Sequence, residues 1–278
     1  MKIGDFKIYP LADGFFGLDG GAMFGVVPKP VWERTNPPDE QNRIRLALRP
    51  LLILTANERI LVDTGIGDKY DVKFAERYRI EKPDTLLGSL KRTGLEPAEV
   101  DVVLLTHLHF DHCGGATRIE NGRLVPTFPN ARYVVQKTEW QEAINPNRRS
   151  RASYLPENFL PIQEAGQLEL IDGSTELRPG IELLHTGGHT KGMQVVKIKG
   201  REQSAIFWSD MIPTQGHIPV PYIMGYDLFP LESMEQKERL LNQAVAEGWV
   251  SFFEHDPEVF AGKIIRVDNR YQFQPIEF

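Results

Sequence analysis

The sequence predicts an α/β protein, and three observations carry that expectation. Strand-like and helix-like stretches alternate along the chain. Its 278 residues are 41% hydrophobic and 25% charged, an ordinary globular balance that speaks against disorder, collagen or coiled coil. No internal repeat, low-complexity segment or uncharged apolar run of ~18 residues breaks the pattern. At ~150 residues per domain the length suits one large domain or two small ones.

The elements follow in order. Leu51 to Leu54 and Arg59 to Val62 are apolar runs around the turn signal Ala56-Asn57-Glu58, a hairpin that ends at Asp63-Thr64-Gly65. Asp84 to Leu95 reads as a helix with Leu86, Leu87 and Leu90 on one face and Gly94 as its stop. Val100 to Thr106 and Ala131 to Gln136 read as strands, with a short helix at Lys137 to Ile144. Further strands fall at Leu168 to Ile171, Ile181 to His185, Met193 to Ile198 and Ser204 to Ser209. Leu231 to Gly248 is a helix whose stripe is Leu240, Leu241, Ala244 and Val245. Val250 to Glu254 is a strand, and Lys263 to Phe278 a hairpin turned at Asp268-Asn269. Gly14 to Pro50 and Met211 to Pro230, both rich in proline, and Asn145 to Gly166 read as long loops; aromatic content in the first two points to packing.

Charge narrows the partners. With 32 Lys and Arg against 38 Asp and Glu, the net charge of −6 suits no nucleic acid. The densest basic run, Asn147 to Arg151, reads as solvated loop charge. Cys113 is the single cysteine, so no intrachain disulfide forms, which fits a reducing compartment. Met1 to Asp5 lacks the apolar run of a signal peptide, so a cytoplasmic protein without membrane contact is expected.

Three of the seven histidines fall in Thr106-His107-Leu108-His109-Phe110-Asp111-His112, directly after an apolar strand. Side chains at i and i+2 of an extended segment point the same way, so His107 and His109 can grip one ion. Asp111 and His112 follow where the chain turns and can face a second ion, and Gly114 and Gly115 permit a tight turn. Solvated surface histidines would not be interleaved with Leu108 and Phe110.

This stretch matches the His-x-His-x-Asp-His signature of the metallo-β-lactamase superfamily. Leu184 to Thr190 resembles that family's loop with the next metal-binding histidine, and Phe207-Trp208-Ser209-Asp210 its strand end with the bridging aspartate. Phe253 to Asp256 resembles the segment of its last histidine, and Leu61 to Gly65 its early turn. The resemblance implies a single domain over residues 1–278 with an αββα sandwich, two mixed sheets back to back and helices outside. It implies two divalent ions, zinc by default, although iron, manganese or cobalt suit the same ligands. His107, His109 and His189 would bind the first ion, Asp111, His112 and His255 the second, and Asp210 both. A metal-bridging hydroxide would attack a small-molecule substrate, with Asp111 or Asp210 shuttling the proton. Asp63 is either a residue behind a ligand histidine or a turn aspartate. His185 and Cys113 are read as structural, and His217 as a loop histidine that is either solvated or close to substrate.

The metal core is shared across the superfamily and cannot choose the substrate. The chain is too short for an added flavodoxin domain, and its acidity counts against the nuclease branch. Gly20 to Gly25 and Pro221 to Phe229 suggest an apolar pocket with Met23, Phe24, Tyr222, Met224 and Phe229 in its wall. They resemble the quorum-quenching lactonase and methyl-parathion-hydrolase branch, implying cleavage of lactones or carboxylic esters with promiscuous phosphotriesterase activity. The family's lactonase tyrosine is missing after Asp210, where Met211-Ile212-Pro213-Thr214 stand; Tyr222 or Tyr226 could replace it. A glyoxalase II-like thioesterase and a non-catalytic metal-binding scaffold are the alternatives. Val26 to Trp32 either joins two subunits of a homodimer or covers its own core.

Overall fold

The computed structural model describes residues 1–276. Its first strands are β1 (Lys2–Ile3), β2 (Phe6–Pro10), β3 (Phe15–Asp19), β4 (Arg43–Ala47), β5 (Leu51–Leu54), β6 (Arg59–Val62), β7 (Val102–Leu104), β8 (Thr117–Glu120) and β9 (Arg123–Pro126). They are followed by β10 (Arg132–Gln136), β11 (Leu168–Ile171), β12 (Thr175–Arg178), β13 (Ile181–His185), β14 (Gln194–Lys199), β15 (Ser204–Phe207), β16 (Val250–Phe252), β17 (Ala261–Val267) and β18 (Arg270–Pro275). The helices are α1 (Gly20–Phe24), α2 (Lys29–Trp32), α3 (Val72–Arg77), α4 (Leu86–Arg92), α5 (Phe110–Cys113), α6 (Lys137–Ile144), α7 (Leu160–Glu164) and α8 (Pro230–Glu247).

Two seven-stranded sheets form, ordered β1-β2-β5-β6-β7-β10-β11 and β12-β13-β14-β15-β16-β17-β18. Both are mixed: β6, β7, β10 and β11 run parallel in the first, and β15 and β16 in the second. Side chains alternate across each strand. Leu51, Ile53, Ile60, Val62, Val102 and Leu104 face the second sheet, where they meet Leu183, Val196, Phe207 and Phe252. Leu52, Leu61, Val103 and Tyr133 point the other way, onto Leu86 and Leu90 of α4 and Trp140 of α6. Burial on both faces explains why these strands read as unbroken apolar runs. The far face of the second sheet packs Val195 and Ile206 on Leu240, Leu241 and Ala244 of α8. The layers are therefore helix, sheet, sheet, helix. Pro230 starts α8 in its first turn, and Gly248 stops it at φ 65°.

The expected Gly14 to Pro50 loop is instead a separate lobe. β3 and β4 pair into a ribbon, and α1 and α2 pack on it through Phe16, Phe24, Trp32 and Ile44. Val26 is exposed there, whereas Trp32 is buried in its own lobe. Asn145 to Gly166 contains α7, and Met211 to Pro230 stays irregular apart from short 3-10 turns. The Val100 to Thr106 strand shortens to β7, because the chain leaves the sheet to build the site. The last hairpin turns at Asp268 and Asn269 as expected; its final two residues, Glu277 and Phe278, lie outside the described residues. Among the described residues no helix is long and apolar enough to cross a membrane.

Candidate metal centre

Four strand ends converge at one edge of the sandwich. His107 follows β7, His189 follows β13, Asp210 follows β15 and His255 follows β16. Asp63, after β6, sits at φ 55° and Ser209 at φ 48°, a left-handed backbone that is costly for side chains other than glycine and common at functional sites. The Thr106 amide donates to Asp63 Oδ1 and its hydroxyl to Asp63 Oδ2, both at 2.7 Å. With that proton committed, the Ser209 hydroxyl donates to Thr106 Oγ1 across 2.8 Å. The segment carrying His107 is thus pinned to the turns after β6 and β15. A Cβ on Gly114 would meet the Ile66 carbonyl oxygen at 2.2 Å, so only glycine lets the helix α5 backbone approach that turn.

His107, His109, His189 and Asp210 form one buried group able to hold a metal, and Asp111, His112 and His255 form another. In the first, His189 Nε2 lies 3.1 Å from His109 Nδ1 and 3.1 Å from Asp210 Oδ2. In the second, His112 Nε2 and His255 Nε2 are 3.1 Å apart, and Asp210 Oδ1 is 3.4 Å and 3.1 Å from them. Asp111 Oδ2 completes that group at 3.6 Å from His112 Nε2. Asp210 therefore turns one oxygen to each group.

The remaining ring nitrogens set the orientation. His255 Nδ1 donates to the Ala47 carbonyl at 2.8 Å, and His189 Nδ1 lies 2.9 Å from Asp227 Oδ1. His112 Nδ1 lies 3.2 Å from Asp63 Oδ2 and 3.0 Å from Glu254 Oε2. Each Nε2 lone pair is thereby aimed inward. His107 Nε2 and Asp210 Oδ1 are buried without a hydrogen-bond partner among the described residues. Nitrogen lone pairs that face one another beside an orphaned carboxylate oxygen fit a divalent cation.

Electrostatics agrees. Burial opposes charge on every imidazole here, yet Asp210 and Asp227 push His189 up to about 10. Glu254 and Asp210 likewise raise His112 well above its ordinary value, against burial. His107 and His109 fall well below theirs, through burial and then the neighbouring histidines. Burial would raise Asp210, but His112, His189 and His255 draw it well below the usual carboxylate range. The carboxylates thus favour positive charge at His112 and His189, while His107 and His109 stay neutral.

A second ring of residues escapes the sequence reading. Asp227 orients His189, and Glu254 stands beside His112. Glu139, in α6, accepts from the Leu108 amide at 2.9 Å, the Tyr154 hydroxyl at 3.0 Å and the Thr190 hydroxyl at 2.6 Å. It ties both histidine loops together. Glu254 could have been suspected from its place before His255; Asp227 and Glu139 carry no local signal.

A cavity of about 100 Å³ opens on the cluster, lined by His109, Asp111, His189, Asp210 and His255. Phe16, Leu18, Met23, Leu46, Phe110, Met224 and Leu228 form its apolar wall, with Tyr78, Arg149, Ser150, Ser153 and Tyr226 among them. Of the residues the sequence puts in a pocket wall, Met23 and Met224 line this cavity. Phe24 does not: it is fully buried, stacked on Trp32 at 5.4 Å and on His217 at 4.1 Å. Tyr222 lies outside the lining, its side chain packed against the lobe's apolar cluster. Phe229 precedes α8 with 41% of its surface exposed and also lies outside the lining. His217 is no solvated loop residue but a buried tie, its Nε2 donating to the Met23 carbonyl at 2.9 Å. His185 donates to the Lys191 carbonyl, and Cys113 is free and buried, its thiol on the Leu108 carbonyl.

The family described as Metallo-beta-lactamase superfamily matches residues 51–255. An N-acyl homoserine lactonase of Bacillus thuringiensis is 31% identical over 220 residues, which span 74% of this chain and 80% of that protein. The crystal structure of a probable metal-dependent hydrolase from Staphylococcus aureus superposes with a TM-score of 0.91 at 34% identity, covering 100% of both chains. An N-acyl homoserine lactone hydrolase, solved with the product N-hexanoyl-L-homoserine at its catalytic metal centre, reaches a TM-score of 0.70 at 27% identity, covering 98% of this chain and 100% of that one.

Proposed function

The chain belongs to the metallo-β-lactamase superfamily, and on that premise we propose that it hydrolyses lactones or carboxylic esters with two divalent metal ions held in the His/Asp cluster. One observation carries the reading: Asp210 offers Oδ2 to His189 and Oδ1 to His112 and His255, so a single carboxylate serves two ligand groups. In this reading His107, His109 and His189 hold the first ion and Asp111, His112 and His255 the second. Imidazole with carboxylate suits zinc. Bound there, such ions would polarise a scissile carbonyl and make a water nucleophilic near neutral pH.

The chain's own residues do the rest. Asp63, Asp227 and the Ala47 carbonyl fix the imidazole tautomers. Asp111 and Asp210 line the cavity floor, placed to take a proton from water and return it to the leaving oxygen. Met23, Leu46, Phe110 and Met224 exclude water and bind an apolar acyl group. Tyr226, on the cavity wall, takes the place of the tyrosine that the lactonase pattern puts after the bridging aspartate. The test is a panel of lactones, aryl esters, thioesters and phosphotriesters offered to zinc-loaded protein. Turnover of lactones or esters above the rest supports the proposal. A thioester preference would favour the glyoxalase II-like alternative, and no turnover of any class a scaffold.

A further inference from the structure

We propose that Arg149 selects among these substrates by binding an oxygen acceptor carried on the acyl side, remote from the scissile bond, as an amide carbonyl or a carboxylate. The inference rests on the hydrolase reading above and adds a second polar group to its substrate. Arg149 lies in the basic run that the sequence presents as solvated charge; it is exposed and also lines the cavity. Apart from the histidines and carboxylates assigned to metal, it is the one charged side chain among the described lining residues.

Its position is built. Asn147 Oδ1 accepts from the backbone amides of Arg149 at 2.8 Å and Ser150 at 3.1 Å, which fixes the turn that presents it. The Ser153 carbonyl takes the Phe110 amide at 2.9 Å, so the same loop is anchored to the ligand-bearing helix. The guanidinium reaches across the mouth to the Gly225 carbonyl. Gly225 in turn donates to the Ala22 carbonyl at 2.8 Å, so three segments meet at that point.

The guanidinium also keeps capacity. It has five N–H donors in a fixed fork, and Gly225 is the one acceptor it meets among the described residues. Arg43, Arg45, Arg132 and Arg178 each face a carboxylate, whereas Arg149 faces none. A guanidinium without a counter-ion, held at the entrance of an apolar pocket, favours a ligand whose far end accepts hydrogen bonds over one that is wholly apolar.

The alternative is that Arg149 only latches two loops together, and the two roles differ in what removing it does. Three 4-nitrophenyl esters with acyl chains of equal length, ending in methyl, primary amide or carboxylate, are compared on wild type, Arg149→Ala and Arg149→Lys, all zinc-loaded. A selector predicts that the kcat/KM ratio of at least one polar-ended ester to the methyl-ended ester falls about tenfold in R149A. R149K, with charge but no fork, should recover only part of it. A fall confined to the carboxylate arm identifies a carboxylate, and one in the amide arm a carbonyl. An equal loss on all three esters overturns the proposal in favour of a latch. The three product acids, titrated by calorimetry into the same proteins, repeat the comparison without turnover. Discrimination in binding with no hydrolysis would sink the hydrolase reading alone, and equal binding would sink the selector.

Discussion

The candidate metal cluster and the Met211 to Pro230 loop beside it treat buried histidine in opposite ways. His107 and His217 are both wholly buried. At His217 each ring nitrogen is satisfied: Nδ1 lies 2.8 Å from the Thr214 hydroxyl, Nε2 donates to Met23, and the ring stacks on Phe24. Burial drops it to about 3, so it stays neutral at any ordinary pH. His107 keeps an orphaned Nε2 and shares its group with His109, His189 and Asp210. Burial alone does not mark a site. Convergent lone pairs without protein donors do, since buried polar atoms otherwise find partners.

That contrast can be broken from its strongest point downward. Residues behind metal ligands typically cost 10–100-fold when removed, so Asp210→Asn, which replaces one of the two carboxylate oxygens with an amide nitrogen and removes the negative charge that both groups share, should cost more than about 100-fold in turnover and lower the metal content read by elemental analysis. Asp227→Asn and Asp63→Asn should each weaken one ion about 10–100-fold, and chelator competition should show two different ions affected. Loss of the same ion in both variants would contradict the division into two groups. His217→Phe keeps a stacking ring but leaves the Met23 carbonyl unpaired. It should cost about 1–3 kcal/mol in denaturant unfolding at a metal content like that of wild type; lost metal would make His217 part of the centre.

A separate effect, read in the pH dependence of stability, concerns Lys237, buried in α8 with Nζ on the Pro219 and Tyr222 carbonyls at 2.9 and 2.8 Å. Burial lowers it from 10.5 to about 7, with Asp227 opposing. The unfolded chain then binds one proton more than the folded chain between those values. Stability should rise with pH through that window, the burial penalty being full below about 7 and relieved by 10.5. Lys237→Met should flatten that slope in melting temperature; an unchanged slope would show that Lys237 does not cause it.

Legibility in the sequence divides along the same line. The inter-sheet strands show as apolar runs because both faces are buried, and α8 as a stripe ended by Gly248. The candidate metal-binding set shows because His107 to His112 are close in sequence and its distant members follow recognisable strand ends. The β3–β4 lobe does not show: Gly17 interrupts β3 and two arginines interrupt β4, and the strands owe their order to pairing and to the packing of Trp32 and Phe24. Phe24, Tyr222 and Phe229 look alike as aromatic loop residues, and only tertiary packing sends the first to the core and keeps the others off the wall. Asp227 and Glu139 act through partners distant in sequence, and Arg149 reads as solvent charge until the loop of Gly225 is folded against it.

The most direct measurement is a crystal structure of the protein saturated with zinc, with anomalous scattering recorded at the zinc edge. Two peaks about 3.5–4 Å apart, one oxygen of Asp210 on each, are the expected result. A single peak, or Asp210 turned away from both groups, would contradict it.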